Sequence, residues 1–236
     1  MKLGFIGIGN ISSDVITGIC KSKLSIKKII ISKRNKKKAK FLKNKFKNKI
    51  IIAKTNQEVI DNSNWIFLGV LPKVGEKILP RLNFKSNKTI ISFISTIKLN
   101  QLKKLTNKKS KIIRAIPMPP ISLGKGPIAI YPPNKQVKNF FNKIGTSIEI
   151  KNEGLSNNFW AISGTMASFY EILKVLSDWQ VKKGLKRSDA QKYITSLYSA
   201  LAQLAEVYSS KNLKKFVLDS QTPGGLNWQG VNELRK

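Results

Sequence analysis

The feature that most constrains this chain is its opening, Leu3 to Ser12. Leu3 to Ile6 is a short apolar run, which suits a parallel strand buried on both faces. Gly7 and Gly9 interrupt it, and apolar residues then recur at Ile11, Val15, Ile16 and Ile19. Spacings of three and four make Asn10 to Cys20 a helix with one apolar face. Strand, glycine turn and helix form the unit that holds a dinucleotide. Gly7 permits the tight turn, and Gly9 lets the backbone approach a pyrophosphate over the helix N-terminus. Ser12 takes the third small position, where helix and strand pack closely. Gly7, Ile8, Gly9, Asn10 and Ile11 are therefore candidate cofactor residues.

A second strand, Lys27 to Ile31, follows at the right distance and ends in Ser32-Lys33-Arg34-Asn35. A site that prefers NAD carries an acid here for the ribose 2′-hydroxyl. A hydroxyl and two cations suit a 2′-phosphate instead. Ser32 and Arg34 thus point to NADP(H) in preference to NAD(H).

The alternation then continues. Helices are expected over Asn35 to Phe46, Asn56 to Ile60, Lys73 to Leu79, Leu99 to Leu105 and Lys135 to Ile144. Strands are expected over Lys49 to Ala53, Asn64 to Val70, Thr89 to Phe93, Lys111 to Ile116, Pro127 to Tyr131 and Thr146 to Ile150. This is the pattern of a doubly wound parallel sheet, Rossmann-like, with the last two strands finishing its far edge. The prolines of 117–120 forbid further helix and favour extended backbone.

From Glu153 the pattern becomes all-helical. Leu155 to Lys183 reads as one long helix, apolar on more than one face. Gly184 stops it, Ser188 caps the next helix to about Tyr208, and shorter ones cover Leu213 to Leu218 and the end from about Trp228. Helices apolar on several faces in so small a piece call for a partner chain. The expected organisation is an α/β cofactor domain over residues 1–151 and an all-α dimerisation domain over 152–236, which also supplies the substrate loop. The assembly is then a homodimer or a higher oligomer of dimers.

Composition closes off several classes. There is no histidine and a single cysteine, Cys20, among 236 residues. Zinc sites, acid–base chemistry by histidine and an internal disulfide are excluded, and no metal is expected. Cys20 lies on the inner side of the first helix as a small core residue. No apolar run is long enough to span a membrane, and the chain opens on a strand instead of a leader, so a cytoplasmic protein is expected. The net charge is +32. Almost all of it is lysine spread over the surface segments, without the interleaved arginines and aromatics of a recognition face, so no specific nucleic-acid partner is expected.

The ordered set of motifs resembles the pyrroline-5-carboxylate reductase family over nearly the full length. Gly4-Phe-Ile-Gly-Ile-Gly-Asn10 resembles the family's opening fingerprint, Ser32-Lys-Arg-Asn35 its NADP-selecting turn, and Asn56 its cofactor-contacting asparagine. Gly69-Val70-Leu71-Pro72 stands at its Ala-Val-Lys-Pro turn. Ile91 to Ile97, with Ser95, and Arg114 to Pro117 match two later strand ends. Ser163-Gly164 is similar to the Ser-Gly pair of its long helix, and Thr222-Pro-Gly-Gly225 to its substrate loop. The resemblance implies cofactor contacts at Asn56, Val70, Leu71, Pro72 and Ser95. It also implies an interlocked helical dimer whose sites borrow helices between subunits. Four departures fall near the substrate. Leu71 replaces a lysine, Met118 and Pro119 replace an asparagine and a threonine, and Asn227 replaces a substrate-contacting threonine.

Reduction of a cyclic imine asks for a C=N carbon about 3–3.5 Å from the nicotinamide C4 and a protonated nitrogen, and neither requires histidine. A substrate carboxylate wants backbone N–H groups and hydroxyls at a helix N-terminus. Thr222, Gly224, Gly225 and Asn227 can provide these, with Ser163 and Thr165 as further contacts. Asn227 and Thr222 are the catalytic candidates, although an asparagine amide cannot supply a proton. The expected activity is NADPH-dependent reduction of a small cyclic imine carboxylate, pyrroline-5-carboxylate to proline by default. A related oxidoreductase acting on another imine or ketone, or a non-catalytic NADP-binding dimer, would carry the same cofactor motif.

Overall fold

The computed structural model describes residues 1–106, 110–210 and 212–236. These fall into two compact units, Met1–Trp160 and Ala161–Lys236.

The first unit is built on eight strands: β1 (Lys2–Ile6), β2 (Lys28–Ser32), β3 (Ile50–Ala53), β4 (Trp65–Leu68), β5 (Thr89–Ser92), β6 (Lys111–Pro117), β7 (Pro127–Tyr131) and β8 (Thr146–Glu149). They lie in the order β3-β2-β1-β4-β5-β6-β7-β8. The first six are parallel; β7 runs antiparallel to β6 and parallel to β8. Between the strands come α1 (Asn10–Lys21), α2 (Lys36–Lys45), α3 (Asn56–Asp61), α4 (Pro72–Ile78), α5 (Leu99–Leu105) and α6 (Lys135–Phe141).

Both faces of the sheet are buried, and strand alternation sorts the core into two layers. Leu3, Phe5, Ile29, Ile31 and Phe67 point to one face, where they meet Val15, Ile16 and Ile19 of α1, Leu42 of α2 and Phe140 and Phe141 of α6. Ile6, Ile30, Ile66, Leu68 and Ile90 point to the other, against Val59 and Ile60 of α3 and Leu102 of α5. The Phe5 and Phe67 rings stack at 4.4 Å between centroids across β1 and β4. Full burial of one such side chain is worth about 1.5–3 kcal/mol, so this double layer dominates the unit's stability.

Two close approaches fix how helices lie on the sheet, one at the end of α3 against β1 and one on α1. A Cβ on Gly4 would lie 2.4 Å from the Ser63 hydroxyl, and one on Gly18 would lie 2.3 Å from the Ile121 carbonyl oxygen. Ile121 belongs to a 3-10 turn, Pro119–Leu123. The structure thus corrects the expectation of extended chain after the prolines. Pro119 and Pro120 occupy the first turn positions, where no backbone N–H is required.

Arg114 is 4% exposed and sits in an interior strand, not beside a sheet edge. Its guanidinium donates to Glu153 at 2.6 Å and to the Ser95 carbonyl. The same carboxylate oxygen accepts from the Leu99 backbone N–H at 2.7 Å. Glu153 is therefore not a free surface charge. It ties the entry of α5 to β6, and removing either partner would strand a buried charge.

The second unit begins inside α7 (Ser156–Ser163) and continues through α8 (Met166–Lys182), α9 (Arg187–Val207), α10 (Lys214–Asp219) and α11 (Leu226–Leu234). The single long helix expected from Leu155 is broken. Gly164 and Thr165 donate to the carbonyls three residues back, at Ala161 and Ile162, so the four-residue ladder lapses at Ser163-Gly164-Thr165. Apolar periodicity runs through this break, which is why the pattern did not reveal it. Gly184, at φ +100, ends α8 as expected. Lys186, not Ser188, caps α9, and Ser188 lies inside its first turn. The last helix opens at Leu226, two residues before the expected start. No helix among the described residues is long and apolar enough to cross a membrane.

Cys20 packs against the first core layer. Burial pushes its thiol up to about 11, partly offset by Lys49. The raised value keeps the neutral thiol dominant until the pH approaches 11. At pH 8 iodoacetamide should modify Cys20 about a hundredfold more slowly than free cysteine, with the rate rising about tenfold per pH unit above that. Mass spectrometry of quenched time points gives the rate, and labelling as fast as free cysteine would contradict this packing.

Candidate active site

Strands β1, β2 and β3 run outward in one direction and β4, β5 and β6 in the other, so the strand order reverses between β1 and β4. In such sheets a ligand binds outside the carboxyl ends of the strands at that reversal. Gly7 leaves β1 there, and Gly69 leaves β4 beside it.

Gly7 has φ +91, and a Cβ on it would lie 2.5 Å from Val70 Cγ1 and 2.7 Å from the Gly69 carbonyl oxygen. No other residue fits. Its backbone N–H donates to the Ser32 hydroxyl at 3.0 Å, so the end of β2 holds the turn after β1. A Cβ on Gly69 would lie 2.0 Å from Ser12 Oγ. The small third position thus faces a second glycine on the neighbouring strand, a partner the N-terminal motif alone did not disclose. Gly9, by contrast, is open; only the Gly69 carbonyl, 3.9 Å from its ideal Cβ, lies nearby.

Gly9 caps α1 with its backbone alone, and α1 has no acidic residue in its first turn. Its first amides therefore face outward without a competing side chain, the arrangement that receives a pyrophosphate. Gly9 and Asn10 are exposed and Ile11 half-buried, whereas Ile8 is 3% exposed and belongs to the core, leaving only its backbone to the turn. Lys38 reaches back from α2 to the Asn10 side-chain oxygen. It also offsets the rise in the Asp14 carboxyl's pKa that burial causes. Spacing along the sequence gave no hint of this cation.

Ser32 is 3% exposed, so its oxygen serves the turn first. Lys33 and Arg34 are exposed immediately beyond it, and Asn35 caps α2 by accepting from the Lys38 N–H at 3.1 Å. Asn56 opens α3, whose cap is supplied by Thr55 accepting from the Glu58 N–H at 3.1 Å, while Glu58 accepts from the Lys54 N–H at 2.7 Å. Val70 and Pro72 are half-buried at the end of β4, and Leu71 between them is 75% exposed. Ser95 follows β5 with its carbonyl engaged by Arg114. The cofactor candidates at β1 to β5 are thus gathered along one edge of one sheet.

The substrate candidates all lie in the second unit. Thr165 donates its hydroxyl to the Ile162 carbonyl at 2.7 Å, and Ser163 adjoins it at the helix break. Gly224 has φ +76, and the Gly225 N–H donates to the Thr222 carbonyl at 2.8 Å, which turns the chain into α11. Gly225 caps that helix without a side-chain bond. The Asn227 amide donates to the Ser220 carbonyl at 2.8 Å, so one of its hydrogens closes the loop.

A family model described as NADP oxidoreductase, coenzyme F420-dependent, matches residues 2–96. A second, pyrroline-5-carboxylate reductase dimerisation, matches residues 153–236. The chain is thus similar to pyrroline-5-carboxylate reductases over its full length. Among relatives, it is 26% identical to the pyrroline-5-carboxylate reductase of Synechocystis sp., over 100% of this chain and 90% of that one. It is 25% identical to that of Escherichia coli, again over 100% and 90%. The fold matches the Plasmodium falciparum pyrroline carboxylate reductase, solved with NADP bound, at TM-score 0.82 and 23% identity over 100% and 89% of the two chains. The reductive aminase of Aspergillus terreus, solved with NADPH, shares it more loosely at TM-score 0.62 and 15% identity over 94% and 80%. Of the four departures from the family's motifs, Leu71, Pro119 and Asn227 are exposed and Met118 is half-buried.

Ser32→Ala should cost about 1–2 kcal/mol in urea denaturation, because it leaves the Gly7 N–H without its acceptor. The loosened turn should weaken NADPH and NADH equally by fluorescence titration. Loss of NADPH affinity alone would instead assign Ser32 to the 2′-phosphate.

Proposed function

We propose that the protein reduces a small cyclic imine carboxylate with NADPH, and that its substrate is pyrroline-5-carboxylate, converted to proline. The observation that carries this reading is the sheet edge at the β1–β4 reversal. There a positive-φ Gly7, an open Gly9 and an α1 N-terminus without a side-chain cap adjoin the exposed cations Lys33 and Arg34. The fit to NADP(H) is good: the turn has no room for a side chain, and no acid stands where a 2′-phosphate would lie. The name shared by the full-length relatives supports the substrate.

In this reading residues 1–151 form the cofactor domain and residues 152–236 the dimerisation and substrate-loop domain. The backbone of Gly7 to Ile11, held in place by the Ser32 hydroxyl, receives the pyrophosphate, and Arg34 receives the 2′-phosphate. Asn56, Val70, Leu71, Pro72 and Ser95 line the rest of the edge. Bound NADPH supplies a hydride to the C=N carbon. The imine nitrogen must carry a proton, and it arrives protonated or takes one from water. Thr222, Gly224, Gly225 and the second Asn227 hydrogen bind the carboxylate, with Ser163 and Thr165 orienting the ring. Asn227 therefore positions the substrate and does not act as an acid. The reaction draws on reduced nicotinamide, and we place it in the cytoplasm.

A homodimer completes this reading. Among the described residues of the second unit only Ser177, Ala190 and Ile194 are fully buried, while Ile172, Val175, Trp179, Leu201 and Leu204 stay about half exposed. A continuous apolar surface on α8 and α9 needs covering. The exposed Leu71, where the family has a lysine, favours one second reading: a different, more apolar imine.

The deciding assay follows NADPH absorbance with purified protein and pyrroline-5-carboxylate, beside a panel of other cyclic imines. Saturable turnover with the five-membered imine is expected. If every imine fails while NADPH still raises the Tm, the catalytic reading is wrong and the cofactor reading survives. Arg34→Ala should raise KM for NADPH about tenfold, a loss of about 1.4 kcal/mol, and leave KM for NADH unchanged. Equal changes for both cofactors would remove Arg34 from the 2′-phosphate. Ile172→Arg with Val175→Arg should convert a dimer into monomers by light scattering; an unchanged mass would place the interface elsewhere.

A further inference from the structure

The positive charge is not evenly laid. Between Lys21 and Lys54 the chain carries fifteen of its 44 cations and no acid at all; the nearest acids are Asp14 and Glu58. That is a third of the cations in a seventh of the length. The segment forms β2, α2 and β3, the outer part of the sheet on one side.

Seven of its lysines fall into two groups. Lys28, Lys43 and Lys49 spend their ammonium groups on backbone carbonyls at Asn48, at Lys47 and Ile50, and at Cys20. These hold the edge together. Lys36, Lys37, Lys40 and Lys45 are exposed on α2, a ten-residue helix whose apolar stripe, Ala39 and Leu42, is turned into the core. Amid these cations stands Phe41, 56% exposed and outside the buried stripe of Ala39 and Leu42. The Lys45 ammonium lies 5.3 Å from its ring centroid and 5.6 Å from that of Phe46.

We infer that this face of α2 binds single-stranded nucleic acid without sequence preference. A cationic strip that tracks phosphates, combined with an exposed ring on which a base can stack, is the minimal platform for that ligand. Phe41 stands among the lysines in the chain, and the fold turns its ring to solvent. An anionic membrane is the poorer fit, since the apolar stripe of α2 is buried in the sheet and only one ring projects. The face reads phosphate and π-surface only, so binding is salt-dependent and sequence-tolerant.

The test is fluorescence anisotropy of full-length protein with a labelled oligouridylate of about 20 nucleotides, titrated across salt. Four phosphate contacts predict a slope near −3 in log K against log salt. Lys36→Glu with Lys37→Glu and Lys40→Glu should weaken binding more than about a hundredfold. A charge-matched control on the opposite sheet face, Lys77→Glu with Lys103→Glu and Lys104→Glu, should change it less than about fivefold. Phe41→Ala should lose about tenfold with the salt slope unchanged. Thermal melts verify that each variant folds. Equal losses in both triple variants would overturn the inference, because diffuse net charge would then account for binding. No loss in Phe41→Ala would also overturn it, as would tighter binding to phosphatidylserine vesicles than to the oligonucleotide.

Discussion

The close approach of Gly7, Ser12 and Gly69 is the constraint on which the rest depends. Two glycines and a serine let β1, β4 and the N-terminus of α1 meet with no side chain between them. That contact sets the height at which α1 leaves the sheet and keeps the carboxyl ends of two strands clear. The Ser32 hydroxyl adds the end of β2 to the same knot. A cofactor edge exists because backbone, not side chain, occupies this point. The arrangement also leaves the Ser12 hydroxyl buried without a hydrogen-bond partner, a penalty accepted by a position that must stay small.

The two units face different problems. The first has an interior of its own: two apolar layers on a sheet covered on both faces, with Arg114 and Glu153 closing one corner by a buried ion pair. The second has helices but little interior. Arg187 joins Asp178 across α8 and α9, and Gly184 turns the chain between them, yet large apolar side chains remain in solvent. A body of this kind gains its stability by association. The family match to a dimerisation domain agrees with that physical reading of the surface.

Most of the first unit was legible in the chain. The interior strands are dense in isoleucine, leucine or phenylalanine, and helices such as α1, α2 and α6 have a periodic inner face. The two periods, near two and near 3.6, do not mimic one another over these lengths. The cofactor edge was legible for the same reason, since a glycine turn after a first strand has few structural uses. What the pattern missed were features that leave no periodic trace. The helix break at Gly164 sits inside an unbroken apolar rhythm. Ser188 has the chemistry of a cap but lies two positions after it. Arg114 and Glu153 are 39 residues apart, and only the fold makes them neighbours.

The sequence alone thus determined the order of strands and helices, the glycine turn and the cations that follow β2, because each rests on residues adjacent or nearly adjacent in the chain. Tertiary structure alone decided which residues share the turn, from Gly69 against Ser12 to Ser32 beneath Gly7 and Lys38 beside Asn10. It also decided that Glu153 is a buried partner and that Phe41 faces solvent among lysines. These are contacts between segments distant in sequence, and local preference carries no information about them until packing brings the segments together.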